Sequence, residues 1–486
     1  MPDTFKRASR GRRGPAQSAS FTSAFRGKPG ELIPFYVVIG LLLCSMFFGG
    51  SNQVQTVHLL VLRPVSVIAI AVILVRPGFP EMVRYRIPVA LLLAFACLML
   101  MQLIPLPPSL WMHFPGRAIF ASAAQIAQTE QPWRPLSLVP DRTLNSFFAL
   151  IPPVTVLLAG AAMRRDQRLA LIPITLLVVV ASAVLGILQS AGGDVSPFYL
   201  FHIHSQDVPV GFFSNRNHQA TLLALALPLL VVFLSMSSRN VHAERSRAAM
   251  ALVAALLILP SILATGSRTG MVMGAVMLLL AAVLFFTSRE PRPMGPQCLP
   301  AWVGWGALLA LLTIAAATLY FGRAVSVDRI MAFDADAEQR LRSLPVVLDM
   351  IRHYFPAGTG YGAFDAAYRI AEPDALLHPT YFNHAHNDLL ELILEGGIIA
   401  AILLVAFLMW WIVTTIKVAR GPYPFGARAL AGLAGSAGIG VLLASSLVDY
   451  PLRTTLLAVV LATCCLWLGD AAAEQGWAGR QKRQRK

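Results

Sequence analysis

Residues 386–411 read HNDLLELILEGGIIAAILLVAFLMWW. Three polar residues open an apolar run whose only later charges are Glu391 and Glu395. The run 388–415 exceeds the about 20 residues that a helix needs to cross the hydrocarbon of a bilayer. It therefore predicts a membrane span that begins at a polar boundary. Helical periodicity puts Glu391 and Glu395 on one face, one turn apart. An unpaired carboxylate at that depth is costly, so the pattern predicts a histidine or arginine partner.

Outward from this run, further apolar stretches lie at 31–49, 54–75, 87–105, 142–163, 168–190, 217–237, 247–265, 268–287, 300–321, 426–446 and 454–472. With 388–415 they predict an all-α integral membrane protein of about twelve spans. The composition agrees: 56% of 486 residues are hydrophobic and 13% are charged, too much apolar surface for one soluble core. The first run follows a basic polar stretch without a small-residue cleavage pattern, which predicts a retained span and not a cleaved signal.

The net charge of +15 does not point to nucleic acid, because the cations sit in small clusters between apolar runs. If the N-terminus is cytoplasmic, that side holds 26 of the 39 Lys and Arg, against 12 spread over longer loops on the other side. The positive-inside bias thus predicts cytoplasmic termini. Spans 7 and 8 are separated only by Thr265-Gly266-Ser267-Arg268-Thr269, and merging them would turn the basic C-terminus outward. The predicted organisation is a basic tail at 1–30, spans 1–9 over 31–321, an outer loop at 322–387, spans 10–12 over 388–472 and a basic tail at 473–486. Both tails lack apolar periodicity and are predicted to be disordered, with their charges against lipid headgroups. Cys44, Cys97, Cys298, Cys464 and Cys465 lie mostly in apolar runs without metal-ligand spacing, and predict neither disulfides nor a zinc site.

Three outer segments are long, at 106–141, 191–216 and 322–387. The last is far longer than a connection needs. Its Leu344, Val347, Leu348 and Ile351 have near-helical spacing, and the stretch from Phe355 to Phe364, with Gly358, Gly360 and Gly362, predicts a turn. His202 and His204 form an HxH pair in the second segment, which reads as a solvated loop. Asp388 and Glu391, spaced Asp-x-x-Glu at a helix start, read as a capping box in preference to a metal site.

Four patches resemble the O-antigen ligase and O-antigen polymerase superfamily of bacterial envelope enzymes. The strongest is His386-Asn387, nine residues and then Gly397. The others are the turn Gly358-Thr359-Gly360-Tyr361-Gly362, the run Phe213-Ser214-Asn215-Arg216-Asn217-His218, and Ser267-Arg268-Thr269-Gly270. Weaker echoes are Pro105-Leu106-Pro107, Pro135-Leu136-Ser137 and Asp449-Tyr450-Pro451-Leu452. The resemblance implies a GT-C-like glycosyltransferase of the inner membrane. Such an enzyme works at the periplasmic face, needs no metal or other cofactor, and moves a glycan from an undecaprenyl-diphosphate carrier to a hydroxyl on lipid A-core or another glycan.

The residues suit that chemistry. A sugar diphosphate leaves easily, so the site needs cations for the leaving charge and a base for the acceptor proton. His386 is the expected base, with His384 as its rival. Arg268, Arg216, Arg340 and Arg342 are the expected diphosphate ligands, since a guanidinium grips phosphate bidentately. Asn387, Asp388, Glu391, Glu395 and Gly397 are expected to support them. The spacing resembles ligases; a polymerase of the same superfamily is the alternative, and a solute transporter is a further one, disfavoured because no internal repeat is evident.

Overall fold

The computed structural model describes residues 21–51, 56–76, 82–193, 196–201, 208–236, 241–288, 335–377, 382–421 and 426–484. The predicted span at 300–321 and the His202/His204 pair lie outside these. The chain runs through α1 (Pro29–Phe48), α2 (Thr56–Val75) and α3 (Arg86–Met101). A stretch of short pieces follows: β1 (Pro105–Leu106), α4 (Pro108–Trp111), α5 (Ala118–Ile126), β2 (Arg134–Pro135) and α6 (Pro140–Phe148). Then come α7 (Ile151–Ala162), α8 (Arg165–Ala191), α9 (Arg216–Ser235), α10 (Val241–Ala264) and α11 (Arg268–Thr287). Two helices of the long loop, α12 (Ala335–Tyr354) and α13 (Phe364–Ala371), precede α14 (Asp388–Ala419), α15 (Ala427–Ser445) and α16 (Thr455–Gln484).

Among the described residues ten helical segments are long and apolar enough to cross a membrane, and Leu59–Val75 is a shorter apolar helix. The protein is an all-α integral membrane protein, as its sequence predicts. One boundary differs: α16 does not stop at 472 but continues to Gln484, so most of the expected C-terminal tail is helix. The run Asp470-Ala471-Ala472-Ala473-Glu474 carries the helix past 472, because alanine has the best helix propensity and the two acids pair with neighbours. Asp470 takes the Tyr85 hydroxyl at 2.6 Å and the Arg168 guanidinium, and Glu474 pairs with Arg428 at 2.9 Å.

The middle of the bundle is α9. Its stretch Ala220–Val232 is uncharged and buried throughout, as expected of a helix apolar on every side. It packs against α8, α10, α11 and α15. α15 and α16 approach closely through small residues; a Cβ on Gly432 would lie 2.3 Å from the Ala471 Cβ.

The weak echoes at 105–107 and 135–137 meet in space. Pro105 pairs with Pro135 and Leu106 with Arg134 in an antiparallel ribbon. Beyond it, Ser137 N–H donates to Gln102 O at 3.0 Å and Leu138 N–H to Thr359 O at 2.8 Å. The ribbon therefore anchors the glycine turn of the long loop.

That turn plugs a break in α14. Gly397 has φ 60° and ψ −148°, which interrupts the predicted continuous span. The backbone groups freed there find partners in the turn: Thr359 N–H donates to Leu394 O at 3.0 Å, Gly360 N–H to Glu395 O at 2.9 Å, and Ile398 N–H to Pro356 O at 3.0 Å. Broken helices persist at membrane depth only when such groups are satisfied by protein. A Cβ on Gly397 would lie 2.0 Å from Pro356 O. We expect Gly397→Ala to lower stability by about 2–4 kcal/mol, from a strained backbone and the displaced turn. Thermal unfolding in detergent checks this, and an unchanged midpoint would refute the coupling of turn and break.

Candidate active site

The polar boundary at 384–395 is built differently from a capping box. Asn387 is the N-cap, its side-chain oxygen accepting from Leu390 N–H at 3.0 Å while its amide nitrogen donates to Leu447 O at 2.9 Å. Asp388, Glu391 and Glu395 are 7%, 0% and 0% exposed, and all turn to one cation, Arg453. Arg453 Nε lies 3.2 Å from Asp388 Oδ1, and its Nη2 lies 3.0 Å from Glu391 Oε1 and 3.2 Å from Glu395 Oε2. The expected cap role of Asp388 is thus replaced by an ion cluster, because a carboxylate inside the protein is stable only when paired. Burial alone would lower the affinity of Arg453 for its proton, but Glu391, Glu395 and Asp388 hold it above the ordinary arginine range.

The remaining acceptors of the cluster fasten the surrounding segments. Glu391 Oε1 lies 2.8 Å from His384 Nδ1, and its Oε2 accepts from Ala385 N–H at 2.8 Å. Glu395 Oε1 accepts from Phe364 N–H at 3.2 Å. The histidine loop, the start of α13 and the turn before α16 are tied to one face of α14.

The two histidines sit differently. His384 has the carboxylate of Glu391 on Nδ1, which orients the ring and leaves Nε2 for other partners. His386 has a positive φ of 48°, rare for a residue with a side chain. Its Nδ1 lies 2.9 Å from His384 O, and its ring stacks on Phe382 at 4.9 Å. Burial, aided by the charge of Arg340, pushes its pKa down to about 4, so His386 is neutral at neutral pH. Tyr450 touches both rings, at 4.7 Å from His384 and 4.9 Å from His386.

Beside this cluster stands an arginine wall. Arg216 and Arg268 are the first residues of α9 and α11, whose N-termini also favour anions. Ser267 caps α11 and donates to Asn217 Oδ1 at 2.7 Å; Asn217 in turn donates to Asp449 Oδ2 at 2.6 Å, which also takes Asn215 at 3.1 Å. These bonds align the starts of α9 and α11 with the turn before α16. Although burial favours the neutral acid, His218, Arg340, His386 and the Asn217 amide hold Asp449 below its ordinary value. Arg340 reaches the same wall from α12, its Nη1 donating to Val448 O at 3.2 Å. Arg342 is exposed on α12 and does not line the cavity.

The arginine wall, the histidines and Arg453 line one cavity of about 1580 Å³. Its other end is apolar, with Leu92 and Phe95 of α3, Leu404 and Phe407 of α14 and Leu461 of α16. The cavity can hold an anionic group against guanidinium groups, a hydroxyl against a histidine and a hydrocarbon chain among leucines. Arg453, Asp449, Tyr450 and Asn217 are the members that sequence reasoning does not assign. Arg453 carries the same signal as Arg268, an arginine on the side that the positive-inside bias predicts to be outer.

Residues 253–405 match the family model described as O-antigen ligase. A search of curated proteins finds no match to this chain. The matched region takes in Arg268, Arg340, the glycine turn, both histidines, the three carboxylates and Gly397; Arg216 and Arg453 lie outside it. Over this region, 253–405 of the 486 residues, the chain is similar to O-antigen ligases.

Proposed function

We propose that this O-antigen ligase-type protein transfers a glycan from an undecaprenyl-diphosphate carrier to a hydroxyl acceptor at the periplasmic face of the inner membrane, with both termini cytoplasmic. One observation carries the reading: a guanidinium wall, a carboxylate-oriented histidine and an apolar end share one cavity. The wall suits the diphosphate, the histidine suits the acceptor proton, and the apolar end suits the carrier's hydrocarbon.

Of the two histidines, His384 is the better base. With Nδ1–H donating to Glu391, Nε2 carries the free lone pair, the arrangement that makes an imidazole an effective general base. The acceptor O–H gives its proton to His384 Nε2 as its oxygen bonds to the anomeric carbon. The bond from that carbon to the diphosphate oxygen breaks, and its electron pair leaves with the diphosphate. Arg216, Arg268 and Arg340 face the charge that develops. Attack opposite the leaving group inverts the anomeric centre. No step calls for a metal ion. Neutral His386 shapes the pocket between Phe382 and Tyr450.

Full-length protein in liposomes is expected to move label from a polyprenyl-diphosphate glycan of the producing cells to their membrane acceptor, with the rate unchanged by EDTA. Strict dependence on Mg²⁺ or Mn²⁺ would overturn the metal-free mechanism. Solute flux without transfer would favour the transporter reading. In a deletion strain, unmodified lipid A-core beside long carrier-linked chains marks a ligase, whereas single repeat units mark a polymerase.

A further inference from the structure

The cavity has a second polar wall that the mechanism above does not use. It is formed by Arg142, Asn145 and Ser146 of α6, against Gly362 of the glycine turn. α6 packs on α3, α3 on α14, and α14 on α15, which in turn holds α9 and α11. The histidine and Arg453 cluster at the start of α14 therefore stands between this wall and the arginine wall.

The two walls differ in the groups they present. The arginine wall presents guanidinium groups at two helix N-termini, whereas Arg142 rests on the buried carboxylate of Asp365, 3.1 Å away, which also takes Arg369 at 2.8 Å. Asn145 is held by Arg63 of α2, whose Nη2 donates to its Oδ1 at 2.7 Å and to its backbone oxygen at 3.0 Å. That leaves the Asn145 amide NH₂ as the donor available to the cavity, beside the Ser146 hydroxyl. Gly362 has φ 77°, and a Cβ there would lie 3.0 Å from Arg142 and 3.1 Å from the Ser146 oxygen, so turn and helix form one continuous surface. The Asn145 amide and the Ser146 hydroxyl, side by side on one helix, suit a ligand rich in hydroxyls.

We propose that the Arg142/Asn145/Ser146 wall is the acceptor subsite, which takes a saccharide and presents one of its hydroxyls to His384. This inference rests on the glycosyl-transfer reading and names the site of its second substrate. Hydrogen bonds from Asn145 and Ser146 hold the acceptor sugar, while the donor's diphosphate lies across the cavity.

The test compares wild type, the double variant Asn145→Ala/Ser146→Ala, and Arg268→Gln, all full length and in detergent or liposomes. Two readouts are taken: thermal stabilisation by polyprenyl diphosphate alone, and transfer of labelled glycan to the membrane acceptor. Loss of two hydrogen bonds predicts roughly ten- to thirtyfold slower transfer in the double variant at limiting acceptor, with stabilisation by polyprenyl diphosphate as in wild type. Arg268→Gln is expected to lose both. Transfer unchanged in the double variant, or stabilisation lost together with transfer, overturns the acceptor assignment. A wild-type protein that shows neither stabilisation nor transfer would instead bring down the glycosyl-transfer reading itself.

Discussion

Replacing His384 with alanine is expected to slow glycan transfer by a factor on the order of 10²–10⁴, the usual worth of a positioned general base. The protein should stay folded, because the histidine is partly exposed and lies in a loop outside the spans. The loss should fall on the chemical step, leaving donor affinity near wild type, since the arginine wall is untouched. Glu391→Gln tests the same assignment from behind the ring. An amide at 391 keeps the hydrogen-bonding shape near Nδ1 but no longer stabilises the imidazolium that forms on proton transfer, so it should slow transfer without abolishing donor binding. Full activity in His384→Ala, together with loss in His386→Ala, would move the base to His386.

The largest effect on stability is expected at Arg453. Truncation to alanine leaves Asp388, Glu391 and Glu395 together without their shared cation. Breaking a buried ion pair from one side costs about 3–5 kcal/mol, because the stranded charge has neither water nor partner. Arg453→Ala should therefore lower the thermal midpoint in detergent and abolish transfer, as Glu391, which orients His384, loses the cation that holds it in place. Arg453→Lys keeps the charge but not the planar fork that touches three carboxylates, so an intermediate loss is expected. An alanine variant with a wild-type midpoint would show that the cluster does not hold the site together.

Much of the fold was legible because membrane insertion is read locally. The length of the run 388–415 and the placement of Lys and Arg are properties of short windows, and lipid permits few alternatives to a helix. The break at Gly397 was not legible as a break. The same residue appeared only as the end of a motif spacing, and the turn at 356–362 that satisfies the broken backbone is about 40 residues earlier in the chain. Asp388 was misread as a cap for a related reason: a capping box and a buried ion cluster have the same local sequence, and only the partner separates them.

By itself the sequence determined that this is a helical membrane protein with a polar loop meeting a span at His386-Asn387, and that Arg216 and Arg268 begin helices on the same side as that loop. Hydrophobic length, charge bias and helix-start residues are near-neighbour properties, and they survive reading along one dimension. Tertiary structure alone decided that Glu391 orients His384 rather than His386, and that Arg453 gathers carboxylates 58 and 65 residues away in the chain. Charges buried together must find one another across the fold, and that pairing follows from how α14 and α16 pack, which no window of sequence contains.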